Sequence, residues 1–144
     1  MPIPVSFSEK DLKRGATVEP AWYLVTINSI GVKPSNDGQS TNYPTEITIV
    51  KNADNDSAAF AEVPVDFNYN SKAMGFVKLL LTTLNPELQL KADQKYDLQS
   101  AEGQQVEYFI GNKEYNGRIL NDVQTGKVRP AGTGAKLRAQ SVVA

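Results

Sequence analysis

The sequence predicts a mainly β domain: a five-stranded Greek-key barrel of the OB-fold type, with one helix between strands three and four. Three observations carry that reading. Five segments alternate apolar and polar residues with the two-residue period of half-buried strands. One stretch, Lys72 to Leu84, repeats its apolar residues at three- and four-residue spacing instead. That stretch falls between the third and fourth strand segments, ahead of a final hairpin, which is the element order of such a barrel. Barrels of this kind bind nucleic acid or sugar polymers more often than they catalyse, but a fold alone does not give function.

The first strand spans Trp22 to Lys33, with Tyr23, Val25 and Ile27 on one face. Its apolar phase then jumps to Ile30 and Val32, so a bulge is expected at Asn28-Ser29, where a long strand bends. Residues 34–41 are a turn-rich loop. The second strand runs from about Tyr43 to Lys51, with Tyr43, Thr45, Ile47 and Ile49 together and Pro44 tolerated near its start. The third is Glu62 to Asn70, with Val63, Val65, Phe67 and Tyr69 on one side. Ser71 is placed to cap the helix, and Ala73, Val77, Leu80, Leu81 and Leu84 form its apolar stripe. Asn85-Pro86 stops it. The fourth strand is Gln104 to Gly111, with Val106, Tyr108 and Ile110 inward. Asn112 and Lys113 make the turn, and the fifth strand is Glu114 to Val123, with Tyr115, Gly117, Ile119 and Val123 on one face.

This divides the chain into an N-terminal arm over residues 1–20, a barrel domain over 21–125, and a flexible basic C-terminal tail over 126–144. Within the arm, Ser8-Glu9-Lys10-Asp11-Leu12 has the makings of one helical turn. The tail carries Lys127, Arg129, Lys136 and Arg138 and no acid. At 144 residues one hydrophobic core is enough without a metal or disulfide.

Composition narrows the chemistry. The chain has no Cys and no His, which removes thiolate and imidazole metal sites and every mechanism built on a Cys-His or Ser-His-Asp arrangement. Asp54 and Asp56 have a calcium-loop spacing, but the Gly and closing Glu of that motif are missing. Asp66 has no partner for acid/base work. The expectation is therefore no enzyme, no metal and no cofactor. No long apolar run and no signal-peptide layout point to a soluble, cytoplasmic protein without membrane contact.

The net charge is only −1, yet it is unevenly spread. Residues 45–66 hold five acids against one base, and residues 105–144 hold six bases against three acids. Such a dipole can aim a weakly acidic protein at a phosphate backbone. Binders of single strands need flat side chains for bases and cations for phosphates. Trp22, Tyr43, Tyr69 and Phe109 sit at strand ends or out of phase with the apolar faces, and are the candidates for stacking. Lys33, Lys113 and Arg118 lie on strands or at their turns and are the candidates for phosphate contact. Phe67, Tyr108 and Tyr115 fall on apolar faces and read as core.

Three stretches together carry a resemblance. They are Pro20-Ala21-Trp22-Tyr23-Leu24-Val25, Pro64-Val65-Asp66-Phe67-Asn68-Tyr69-Asn70 before the helix, and Tyr115-Asn116-Gly117-Arg118-Ile119-Leu120-Asn121-Asp122-Val123 in the last hairpin. Over about Val18 to Pro130 the chain resembles the small single-stranded-DNA-binding proteins encoded by tailed phages. The resemblance implies a barrel that coats single strands during phage DNA replication or recombination, in the host cytoplasm, without a cofactor, alongside phage or host replication and recombination proteins. One departure is the ending. Many single-strand binders finish in an acidic tail that recruits partners, whereas Lys136 and Arg138 here point to a tail that touches DNA itself.

A competing reading is a protein-interaction or structural phage module that uses the same barrel without nucleic acid. It suits the near-zero charge. A predicted edge strand carries no protective charge, which leaves a homo-oligomer open.

Overall fold

In the computed structural model, which describes residues 2–142, the chain is mainly β with three α-helices. A short helix α1 (Glu9–Lys13) precedes β1 (Ala21–Ile30), β2 (Lys33–Pro34), β3 (Thr41–Asn52) and β4 (Pro64–Asn70). Helix α2 (Met74–Leu84) separates these from β5 (Gln105–Tyr115) and β6 (Arg118–Pro130), and α3 (Thr133–Val142) follows. All pairing is antiparallel, in one sheet. β1 lies between β3 and β5; β4 flanks β3 and β6 flanks β5.

The expected closed five-stranded barrel is thus a six-stranded open sheet. The sixth strand arises because the first strand stops at Ile30, Gly31 bonds back to the Pro44 carbonyl at 2.8 Å, and the chain pairs again at Lys33–Pro34. The bulge expected at Asn28-Ser29 is present as a register shift between Ile27 and Ser29. No ladder joins β4 to β6 among the described residues; a cleft of about 450 Å³ separates them, lined by Phe67, Asn68, Asp122 and Thr125 among others.

Alternation decides which side chains go inside. Tyr23, Val25 and Ile27 of β1 meet Ile47 and Ile49 of β3, Val65 and Tyr69 of β4, and Val106, Tyr108 and Ile110 of β5 in one core. Val32, expected to share that face, is exposed. Helix α2 closes one end of the core with Val77 and Leu80. Its entry differs from expectation. Ser71 accepts from the Thr41 N–H rather than capping the helix, because a 3₁₀ turn (Ser71–Ala73) intervenes and Asn70 caps that turn. The helix ends at Leu84, as Asn85-Pro86 requires.

The deepest polar contact joins two phenols: Tyr69 and Tyr108 share a hydrogen bond of 2.5 Å between their hydroxyls. Burial pushes Tyr69 up to about 12 and Tyr108 further up. Tyr108→Phe leaves the Tyr69 hydroxyl buried without a partner, so we expect a loss of about 1–3 kcal/mol in urea unfolding. The Tyr69→Phe/Tyr108→Phe double variant is expected to lose less than the two singles combined.

The acidic stretch is neutralised within the fold. Ser8 caps α1 in a reciprocal capping box with Asp11, so the predicted turn forms. From it Lys10 and Arg14 both reach Glu46 at 2.6 Å, Arg14 also reaches Asp66 at 2.6 Å, and Lys13 reaches Glu62 at 2.7 Å. Lys10 and Arg14 hold the Glu46 carboxyl down to about 2, against an ordinary value of 4.5. A depressed carboxylate stabilises fully above its unfolded value and loses that contribution as the pH falls toward its folded one. Urea unfolding at about pH 6 and about pH 3 is therefore expected to show wild type losing roughly 1 kcal/mol more than Glu46→Gln.

Residues 126–142, expected as a flexible tail, carry the end of β6 and α3; residues 143–144 lie outside the described part. Val128 is buried against the core.

Candidate nucleic-acid interface

β5 turns even-numbered residues Val106, Tyr108 and Ile110 into the core, so odd-numbered residues face away from it. Phe109, Gly111, Lys113 and Tyr115 form that outward series, and the β5–β6 ladder runs without a slip from Phe109 to Tyr115. At about 3.3 Å per residue the series spans roughly 20 Å. Directly paired residues share a face. Trp22 lies opposite Phe109 on β1; Leu120 lies opposite Lys113 and Arg118 opposite Tyr115 on β6.

The hairpin extends further than the sequence suggested. Its turn is Asn116-Gly117, with φ of 51° and 76°, not Asn112-Lys113. Asn-Gly is the pair that two-residue turns of positive φ demand, and its backbone twist matches the strands. The four-residue difference lifts Tyr115 off the core: it is 65% exposed, where an inward position was expected.

A bulge in β6 adds a third cation to Lys113 and Arg118. The pairing passes from Tyr108–Val128 to Phe109–Gln124, leaving Thr125, Gly126 and Lys127 as extra residues. Lys127 thereby sits 4.8 Å from the Phe109 ring centre, and Gly126 leaves room for the Phe76 ring, 3.3 Å from where a Cβ would lie. The Phe109 ring meets Trp22 edge-on at 6.0 Å.

One end of this face is fixed by a buried acid. Glu107 accepts from Arg129 Nε at 2.7 Å, from Gly132 N–H at 2.9 Å and from Gly134 N–H at 3.1 Å. Held this way, the Arg129 guanidinium stacks 4.0 Å from the Trp22 ring centre. Its Nη2 is buried without a hydrogen bond, 3.9 Å from Asp54. Glu107 also ties down the start of α3, which packs on the loop after β3: a Cβ on Gly134 would run into the Ala53 carbonyl, and Arg138 donates to that same carbonyl. The face is covered near Glu107 and open toward Tyr115.

Of the residues expected to bind, Trp22, Phe109, Lys113 and Arg118 come together here. Three do not. Tyr69 is buried and bonded to Tyr108, so it offers no ring to a base. Tyr43 is half-buried on the inward side, packed against the core. Lys33 is exposed on β2, past the end of β1 opposite to Trp22. The face also holds residues not expected on it: Tyr115, read as core, and Lys127 and Arg129, read as tail. The Asn-Gly pair was the signal for the first; nothing local marks the other two.

Charge favours the same face. Glu46, Glu62 and Asp66 are engaged by α1, and Asp56 by Lys51 and Arg138. On the face itself three cations, Lys113, Arg118 and Lys127, stand against one acid, Asp122, which pairs with Gly111 and lies 3.9 Å from Lys113. No helix among the described residues is long and apolar enough to cross a membrane. No protein-family model matches the chain, and no curated protein matches it.

Proposed function

We propose that the chain is a sequence-tolerant single-stranded-DNA-binding protein, built on an OB-type barrel that is opened along the β4–β6 cleft. The order in space, β4–β3–β1–β5–β6, supports the barrel reading: the first long strand pairs with both the second and the fourth, with a helix between third and fourth. The observation that carries the function is one outward sheet face that bears Trp22, Phe109 and Tyr115 together with Lys113, Arg118 and Lys127. Bases stack on the rings, at roughly 1–3 kcal/mol each, and phosphates meet the cations. Every base has a flat face, so little sequence preference follows. The binding needs no cofactor and no catalytic group. Together with the resemblance noted above, this reading sets the protein in phage DNA replication or recombination, beside the proteins of those processes.

Fluorescence anisotropy of labelled oligo-dT, at low and moderate salt with duplex as control, tests it. Binding that falls steeply with salt and largely spares duplex is the expected result. No binding to either form at low salt would overturn it. The reading as a protein-interaction module would then stand, favoured by an apolar groove beside α2 that Met74, Val77, Leu81, Leu90 and Leu98 line.

A further inference from the structure

Among the described residues, two apolar surfaces lack a cover. The first is the segment over residues 2–7, Pro-Ile-Pro-Val-Ser-Phe, where Ile3, Val5 and Phe7 are 86%, 73% and 66% exposed. Two-residue spacing puts all three on one side of an extended chain. Pro2 and Pro4 fix their own φ, and Pro4 keeps Ile3 out of the helical region, so the segment is held near the extended form before it meets anything. No strand pairs with it among the described residues.

The second surface is a groove of about 610 Å³ beside α2, lined by Tyr43, Met74, Val77, Leu81, Leu90 and Leu98. Its volume lies in the range of pockets that enclose drug-sized ligands. The charges on its lining are Lys78 and Lys95, both positive, with no acid among the lining residues.

The two surfaces complement each other. The segment supplies three aligned apolar side chains and is followed, after Ser8, by an exposed acid, Glu9. The groove supplies an apolar floor and two cations. Their placement argues for different molecules. The segment leaves from α1, which is clasped to Glu46 on the outward side of β3. The groove opens beside Tyr43, on the inward side of the same strand.

We propose that residues 3–7 of one copy fill the α2 groove of a second copy, with Glu9 beside Lys78 and Lys95. A reciprocal exchange uses the same pair of surfaces twice and closes as a two-fold dimer. This assembly does not rest on the DNA-binding reading, since neither surface includes Trp22, Phe109 or Tyr115.

Sedimentation equilibrium of the full chain tests it. Phe7→Ser and Met74→Glu both replace exposed side chains, so circular dichroism should show the fold intact. The expected result is a dimer for wild type and a dimer dissociation constant raised about tenfold or more by either variant. Because the chain has no Cys, Phe7→Cys and Met74→Cys proteins can be oxidised alone and mixed, and a disulfide-linked species of twice the chain mass should form faster in the mixture than in either protein alone. A wild type that stays monomeric at high micromolar concentration would overturn the proposal, as would a dimer indifferent to both variants. So would a chain carrying both cysteines that closes on itself at high dilution, because the segment would then occupy its own groove.

Discussion

Tyr115→Ala is expected to weaken oligo-dT binding by about 5- to 150-fold, the equivalent of roughly 1–3 kcal/mol for one lost stacking platform. The melting temperature should not move, because Tyr115 stands on a hairpin arm with its ring in solvent. Tyr115→Phe keeps the flat ring and should bind nearly as wild type. Arg118→Ala, directly across the ladder, removes a phosphate contact instead. It should lower the salt slope by roughly 0.7 while acting alike on every sequence. Anisotropy titrations at several salt concentrations, with thermal melts of the same preparations, check all three. An affinity within twofold of wild type for Tyr115→Ala would remove the hairpin from the site.

Glu107→Ala is expected to cost about 3–5 kcal/mol in urea unfolding, because it strands the Arg129 guanidinium in a largely buried place. Two backbone donors, the N–H groups of Gly132 and Gly134, lose their acceptor as well. The expected loss comes from breaking the pair, not from the pair's net worth. A Glu107→Ala/Arg129→Met double variant should therefore recover much of it. Glu107→Gln keeps an acceptor oxygen and should fall between wild type and Ala. A loss under about 1 kcal/mol for Glu107→Ala would mean that water or rearrangement replaces the carboxylate. Since Arg129 stacks on Trp22, the same variant should also alter Trp22 emission in the folded protein.

The inward faces were legible because alternation is a local property. Tyr23, Val25 and Ile27, then Ile47 and Ile49, then Val106, Tyr108 and Ile110, all lie where two-residue spacing puts them. Even the β1 bulge showed as a phase slip. Tyr69 obeyed the same rule, falling in phase with Val63, Val65 and Phe67, but its phenol suggested an exposed strand end. The missing information was Tyr108, 39 residues away, whose hydroxyl satisfies it inside.

Long-range pairing was the blind spot elsewhere. Glu107 and Arg129 are 22 residues apart, and Arg14 and Asp66 are 52 apart, so neither ion pair leaves a mark on local sequence. Without the first, residues 126–142 looked like a solvated basic tail; without the second, residues 45–66 looked like an exposed acidic surface. The hairpin turn was readable from Asn116-Gly117 yet was placed four residues early, which buried Tyr115 on paper and hid the outward series Phe109, Lys113, Tyr115. The binding face is a product of register, and register is set by contacts across the sheet.

Trp22 is the chain's single tryptophan and sits within the face that this account assigns to DNA. Its fluorescence, followed during titration with oligo-dT at low salt, reports on that face directly. Saturable quenching that added salt reverses is the expected result. Trp22 emission that stays unchanged while anisotropy of the same oligonucleotide shows it bound would contradict it, because the DNA would then lie elsewhere on the molecule.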